Sequence, residues 1–377
     1  MAVAGRSTGA EGVASTLREA GFARLLVAAD ADALAAAGLL ANALAQRGVP
    51  FQASVHAERP GVETADDTTT IRIGIEGSAD CSLDASERPA SETAFAAARA
   101  LEADPDPLLA LAGRFVVGDE TGDLDGSDAF ETATERDLVE RRPGVAVPVA
   151  DLDDGLAHST LVHTDFSGDP DATATALAGC DDDGRRTASM VALSTCADAT
   201  PRGASALGCA LNPYVVTERG REATTVSGRF ETVGGLADVL CAAAHERPGI
   251  ALALALGHDI RETALDAWRS HADRAHRALR EATTERHRNV FVARTDAGAS
   301  LPTAARLLCD FRSPESIAVV VDDGRAAGAA HHEAHLGERM AEAATAAGGD
   351  GAGDDQRAWA RFSDADGFVT AFREAVA

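Results

Sequence analysis

LLVAADADALAAAGLL, residues 25–40, decides how the rest of the chain is read. Leu25 to Ala29 is a short apolar run, which reads as a buried strand. Asp30 and Asp32 follow, and the alanine-rich segment Ala33 to Arg47 sets Leu34, Leu39, Leu40 and Leu44 on a helix directed at a sheet. Gly48, Val49 and Pro50 end that helix, and FQASVHA, residues 51–57, is the next strand. Strand, helix and strand in this order imply a parallel sheet with a right-handed crossover. The two carboxylates then stand at the carboxyl edge of the sheet, where ligands of open α/β folds bind. Alternation along an extended chain points both the same way, and their oxygens suit Mg2+ or Mn2+. The competing reading of this pair is a helix cap, with Asp32 accepting from first-turn amides and Asp30 solvated.

Further along, IRIGIE (71–76) alternates like a third strand and residues 90–101 form a helix, while the apolar stretch 105–120 is compatible with either state. Helical patterning runs from Asp169 through Leu211, interrupted by Pro201 and ended by Asn212 and Pro213. A helix, a turn and a strand over 250–256 are expected next. The clearest helix covers 262–288, where Leu265, Trp268, Ala272, Ala275, Leu279 and Ala282 recur at spacings of three and four. The last ninety residues read as strands at 289–294, 316–323 and 357–362 with helices at 336–349 and 367–376. The expected fold class is α/β: a parallel-sheet domain over 1–195, a helical connector over 196–285 and a smaller mixed α/β domain over 286–377.

Of 377 residues, 60 are acidic and 34 basic; every basic one is arginine, and the net charge is -26. An acidic, lysine-free surface reads as halophilic, suited to a cytoplasm of molar salt. At about 1 M salt the Debye length is about 3 Å, so phosphate neutralisation alone holds nucleic acid weakly. Binding would need local arginines and stacking, yet aromatics make up only 4% of the chain. No apolar run reaches the roughly 20 residues of a membrane span, and the N-terminus lacks the order of a signal peptide, so a cytoplasmic protein with no membrane contact is expected. Six cysteines without a C-x-x-C pair read as free, buried thiols.

Two smaller groupings stand out. HHEAH, residues 331–335, would set His331 and His335 one helical turn apart as a metal pair, although it lacks the H-E-x-x-H order. LAHSTLVHTDFSGD gathers His158, His163, Asp165 and Asp169, as a ligand or contact cluster or else a loop with a helix cap. On the 262–288 helix, Arg269, Arg274, Arg277 and Arg280 alternate with Asp266, Asp273 and Glu281, which favours a solvated or protein-facing surface over a nucleic-acid stripe.

VAADADALAAAGLLANALAQRGVPFQASV (27–55) resembles the first motif of the DHH phosphoesterases, in particular the archaeal RecJ-like branch. The likeness continues through RPASETAFAAARALEADPDPLLALAG, FSGDPDATATAL, the segment 230–258 and GERMAEAATAAGGDGAGDDQRAWARF, and so spans nearly the whole chain. It implies a parallel DHH domain, a helical connector and a mixed-sheet, DHHA1-like substrate domain. It also implies metal-dependent hydrolysis of phosphodiesters at a 5′ end of single-stranded DNA or RNA, the work of an exonuclease of DNA replication and repair.

This chain departs from the family's motifs. No D-H-H triplet occurs; GSADCSLDASE stands there, with Asp80 and Asp84. Asp119 is the stand-in for the fourth-motif aspartate, so the resemblance leaves Asp30, Asp32, Asp80 and Asp119 as residual metal candidates for Mn2+ or Mg2+, and no residue assigned as catalytic. CAAAH replaces N-A-C-G-R, which puts Cys241 and His245 at the substrate position. The glycine element, with Gly348, Gly349 and Gly351, has lost its histidine and gained acids. These changes imply a pseudoenzyme that binds replication proteins (a GINS/helicase-type complex or a RecJ paralogue) or single-stranded nucleic acid, with or without a metal cofactor. The alternative is an active exonuclease or phosphodiesterase with a carboxylate-only site.

Overall fold

The computed structural model describes residues 8–377 apart from 57–67, 76, 85–87, 118–123, 181–183, 197–200, 212, 225, 226, 297 and 299. The chain divides into two compact units, each built from two segments: Met1–Leu152 with Asn212–Trp268, and Asp153–Leu211 with Arg269–Ala377.

In chain order the elements begin with α1 (Ala10–Glu19), β1 (Ala23–Ala28), α2 (Ala31–Gln46), β2 (Phe51–His56), β3 (Thr69–Ile73) and β4 (Cys81–Leu83). α3 (Ala90–Ala100), α4 (Pro107–Val117), α5 (Asp128–Glu135) and β5 (Val139–Arg141) follow. The second unit then takes α6 (Leu152–His158), α7 (Pro170–Leu177), α8 (Gly184–Cys196) and α9 (Pro201–Leu211). The chain returns to the first unit with β6 (Tyr214–Val216), α10 (Glu218–Ala223), a 3-10 turn (Ser227–Arg229), α11 (Val233–Glu246) and α12 (Pro248–Ala255). α13 (Arg261–Glu281) crosses back, leading to β7 (Thr283–His287), β8 (Val290–Arg294), α14 (Leu301–Phe311), β9 (Ile317–Asp322) and β10 (Arg325–Ala330). α15 (Leu336–Ala346), β11 (Asp350–Gly353), β12 (Arg357–Arg361) and α16 (Ala365–Val376) complete it.

The first unit is organised by a parallel sheet of order β2-β1-β3-β4. β1 lies between two parallel neighbours, with Ala23 in register with Phe51 on one side and Thr69 on the other. Its apolar sequence is what a strand flanked by partners and covered by helices requires. α2 is buried nearly all round, so its alanines act as close-packing surface rather than as one apolar stripe.

The expected strand at 250–256 is instead α12. A short apolar run cannot be assigned by periodicity; here Pro248 at the first helical position and the alternation of Ala and Leu, both strong helix formers, decide it. The open stretch 105–120 forms α4, whose first-turn Leu108 N–H donates to Asp106 at 2.9 Å. The 262–288 helix ends earlier than expected, at Glu281, and the β-branched Thr283 and Thr284 open β7.

The second unit contains a six-stranded sheet of order β11-β12-β10-β9-β8-β7, in which β8 and β9 run parallel and the other pairs antiparallel. Ile317, Val319 and Val321 face a core with Met340, Phe368 and Phe372 from α15 and α16. Ala318 and Val320 face Leu301, Leu307 and Phe311 of α14. β10 (RAAGAA) and β11 (DGAG) carry no strand signal in the sequence, because Ala and Gly have little strand preference of their own. The fold is therefore mixed α/β, with a parallel-sheet domain and a separate C-terminal α/β domain. Among the described residues no helix is long and apolar enough to cross a membrane.

Candidate functional site

Asp30 is the N-cap of α2, its Oδ1 accepting from the N–H of Ala33 at 2.8 Å. Asp32 lies in the first turn of the same helix, yet its carboxylate leaves α2. It is 2% exposed and accepts from the N–H groups of Ala90 and Ser91 at 2.7 and 2.9 Å, capping α3 from a distance. Burial raises its pKa against the lowering effect of those two backbone donors. The capping alternative is thus realised with its roles exchanged: Asp30 caps its own helix and Asp32 serves another.

Asp80 does not join them. Its Oδ2 accepts from the N–H of Thr70 at 2.7 Å, and Thr70 is in register with Arg24 of β1. The extended chain from Arg24 to Asp30 then puts Asp80 roughly 20 Å from Asp30, at the opposite edge of the sheet. Asp84 is the residue that shares an edge with Asp30, because it follows Leu83, which is level with Ile73 and through it with Val27. Counting along a parallel strand selects Asp84 rather than Asp80. Asp119 lies outside the described residues. Among those described, no group of three His, Cys, Asp or Glu side chains is arranged to hold a metal ion.

His245 is exposed in the last turn of α11 in the first unit. The three glycines belong to the second unit. Gly348 has φ +75°, and a Cβ on Gly349 would sit 1.8 Å from the Arg361 carbonyl, so the pair turns the chain out of α15 and lays β11 against β12. Gly351 lies on β11 beside the Trp359 carbonyl. His331 and His335 are not one helical turn apart: they lie in the connection between β10 and α15, and His335 has φ +47°.

The His158 grouping proves to be a contact cluster. His158 Nδ1 lies 2.9 Å from Asp154 and Nε2 3.3 Å from Asp273. Burial opposes the charge of Asp154, but the guanidinium of Arg269 at 2.8 Å holds its pKa below the ordinary value. The buried rings of His163 and His276 meet through their Nδ1 atoms at 3.0 Å. His276 Nε2 faces the Ser159 carbonyl at 3.1 Å, so Nε2 carries the proton and Nδ1 accepts from His163. Burial lowers both pKa values, that of His276 to about 3, and Arg280 adds to the effect. Asp165 is exposed, and Asp169 caps α7 through Ala172. Asp154 and His276 join the cluster without having been singled out in the sequence, and Asp273 was read there only as part of a mixed-charge helix face.

A family profile described as "Uncharacterized protein rrnAC1427, C-terminal domain" matches residues 282–374. "Uncharacterized protein rrnAC1427" of Haloarcula marismortui is 49% identical over 381 aligned positions, covering 97% of this chain and 96% of that one. The chain belongs to the rrnAC1427 family. Among solved structures, this rrnAC1427-family chain is similar to CDC45 from Entamoeba histolytica, with TM-score 0.61 and 9% identity over 97% of both chains. It is also similar to exonuclease RecJ bound to manganese, with TM-score 0.50 and 14% identity over 98% of this chain and 94% of that one. RecJ from Thermus thermophilus in complex with Mn2+ gives 0.51 and 13%, over 98% and 55%. The rrnAC1427-family fold is therefore DHH/RecJ-like.

Proposed function

We propose that this chain is a DHH-fold protein of DNA replication or repair that acts by binding and has lost, or nearly lost, hydrolysis. The observation that carries the reading is Asp32: both of its oxygens are taken by backbone N–H groups of α3 in a buried setting. A divalent cation needs carboxylate lone pairs directed at a shared point. The Mn2+ held by the RecJ structures does not fit the described donors here, because Asp30 and Asp32 are committed to helix ends and Asp80 stands at the far edge. The likeness to CDC45, a replication factor, favours partner proteins of the replication machinery, a GINS/helicase-type complex or a RecJ paralogue, and single-stranded nucleic acid as ligands. On this reading residues 286–377 form the DHHA1-like domain, the DHH-like region is the first unit rather than all of 1–195, the expected connector 196–285 is divided between the two units, and His245, Gly348, Gly349 and Gly351 mark ligand-facing positions.

The experiment is a degradation assay on 5′-phosphorylated single-stranded DNA and RNA with Mn2+ or Mg2+ in molar KCl. No metal-dependent product is expected. Degradation that disappears in Asp30→Ala would overturn the proposal and restore the exonuclease alternative.

A further inference from the structure

Asp106 stands just before α4, and its Oδ1 accepts from the N–H groups of Leu108 and Leu109 at 2.9 and 3.4 Å. A capping aspartate is ordinary; its surroundings here are not. Within the first unit it lines a cavity of about 150 Å³, together with Asn42, Asp104, Arg136, Thr224, Ser227 and the C-terminal end of α12. Burial raises the pKa of Asp106, the Ser227 hydroxyl and the two amides lower it, and the like charge of Asp104 raises it again.

The sign of the cavity follows from its charges. Arg136 is the one cation among the described lining residues, and its Nη2 donates to Asp104 Oδ1 at 2.8 Å. These two cancel, which leaves the charge of Asp106. The amino end of α4 offsets part of it, while the carbonyl end of α12, which brings Leu254 and Ala255 to the wall, adds partial negative charge.

The lone pairs lead to the same occupant. The Thr224 hydroxyl donates to the Gly220 carbonyl at 2.9 Å, and the Ser227 hydroxyl donates to Asp106. Both protons are committed, so these oxygens have only acceptor capacity left. Asp106 meets three donors with about four lone-pair positions. Asn42 bonds to no other described residue, and its amide contributes one more oxygen. An anion would face these acceptors with the one guanidinium already paired, and an apolar ligand would strand them. A single uncompensated carboxylate matches a single positive charge. Divalent ions call for more carboxylates, and Mg2+ also dehydrates reluctantly. A water molecule takes about 30 Å³, so the cavity accommodates an ion with part of its hydration shell.

We propose that the cavity beside Asp106 is a site for one monovalent alkali cation, K+ or Na+, held by the Asp106 carboxylate and by neutral oxygens of Asn42, Thr224 and Ser227. The ion ties α2 and the start of α4 to the turn before α11, and it stabilises the folded first unit. This inference goes beyond the binding reading above and does not depend on it.

The test is thermal denaturation of the full chain at constant total chloride, with KCl or NaCl exchanged for N-methylglucamine chloride, whose cation is too large for the cavity. The small cations raise the melting temperature by about 3 °C once they exceed their dissociation constant about tenfold. Asp106→Asn, which keeps a capping oxygen and removes the charge, abolishes that difference. Crystals of the native chain grown with RbCl, which require no variant to fold, give an anomalous peak beside Asp106. A larger rise in one of the two small-cation salts names the ion. Equal melting in all three salts overturns the proposal. So does a difference that Asp106→Asn retains, rubidium found only outside the cavity, or a manganese peak inside it from crystals soaked in both ions.

Discussion

Asp32 of the first unit and the His163–His276 pair of the second are all buried, and they meet the cost of burial by different means. Asp32 is held by two backbone N–H groups that would otherwise be orphaned at the start of α3. His163 and His276 satisfy each other by remaining uncharged. The difference teaches that neither group is poised for proton or metal chemistry, and that their stability contributions run in opposite directions with pH. The raised pKa of Asp32 means that its contribution is complete at low pH and declines as pH rises through that value. The histidines are lowered, so theirs is complete above the ordinary 6.5 and is lost as pH falls toward about 3.

The largest expected effect is therefore acid loss in the second unit. A displaced pKa is worth about 1.4 kcal/mol per unit, so His276, lowered from 6.5 to about 3, accounts for a loss on the order of 5 kcal/mol between neutral pH and pH 3, and His163 acts in the same direction. Urea denaturation across that window should show the slope in the native chain and a much flatter one in His163→Leu with His276→Leu. Equal slopes would break the contrast between the units.

Next comes Asp32→Ala, which strands two backbone donors and should lower stability by about 2 kcal/mol. Asp32→Asn keeps an acceptor and loses the charge, so its melting temperature should fall less and depend less on pH above the carboxylate range. A smaller effect is expected at Asp30→Ala, about 1 kcal/mol, as for an ordinary exposed N-cap. If calorimetry gave Asp30 the larger loss, the assignment of the two caps would be reversed. The smallest effect belongs to the surface: Arg221 pairs with both oxygens of Glu231, and Arg221→Ala should change stability by no more than about 1 kcal/mol in dilute salt. In molar KCl that difference should vanish.

The β-α-β unit around Asp30 was legible because an apolar strand and an alanine-rich helix leave local signals that tertiary packing does not contradict. The terminal helix α16 and strands β8, β9 and β12 were legible for the same reason. The run 250–256 was not, since alternating Ala and Leu suit a buried helix and a buried strand alike. β10 and β11 were hidden by their small residues, which become strands only because neighbours offer them a ladder.

The candidate site divides along the same line. Two aspartates after a strand said that polar groups would crowd the sheet's carboxyl edge, and local sequence determined that much. Whether their oxygens would converge on a cation or turn to a helix end depended on where residues 90 and 91 came to lie, nearly sixty positions away. Asp80 and Asp84 differ by four places in the chain, yet strand register sends them to opposite edges. Composition and local pattern determined the α/β class and the acidic surface. Only the tertiary structure decided what each carboxylate and imidazole does, because a buried polar group takes its role from the partner that long-range packing brings to it.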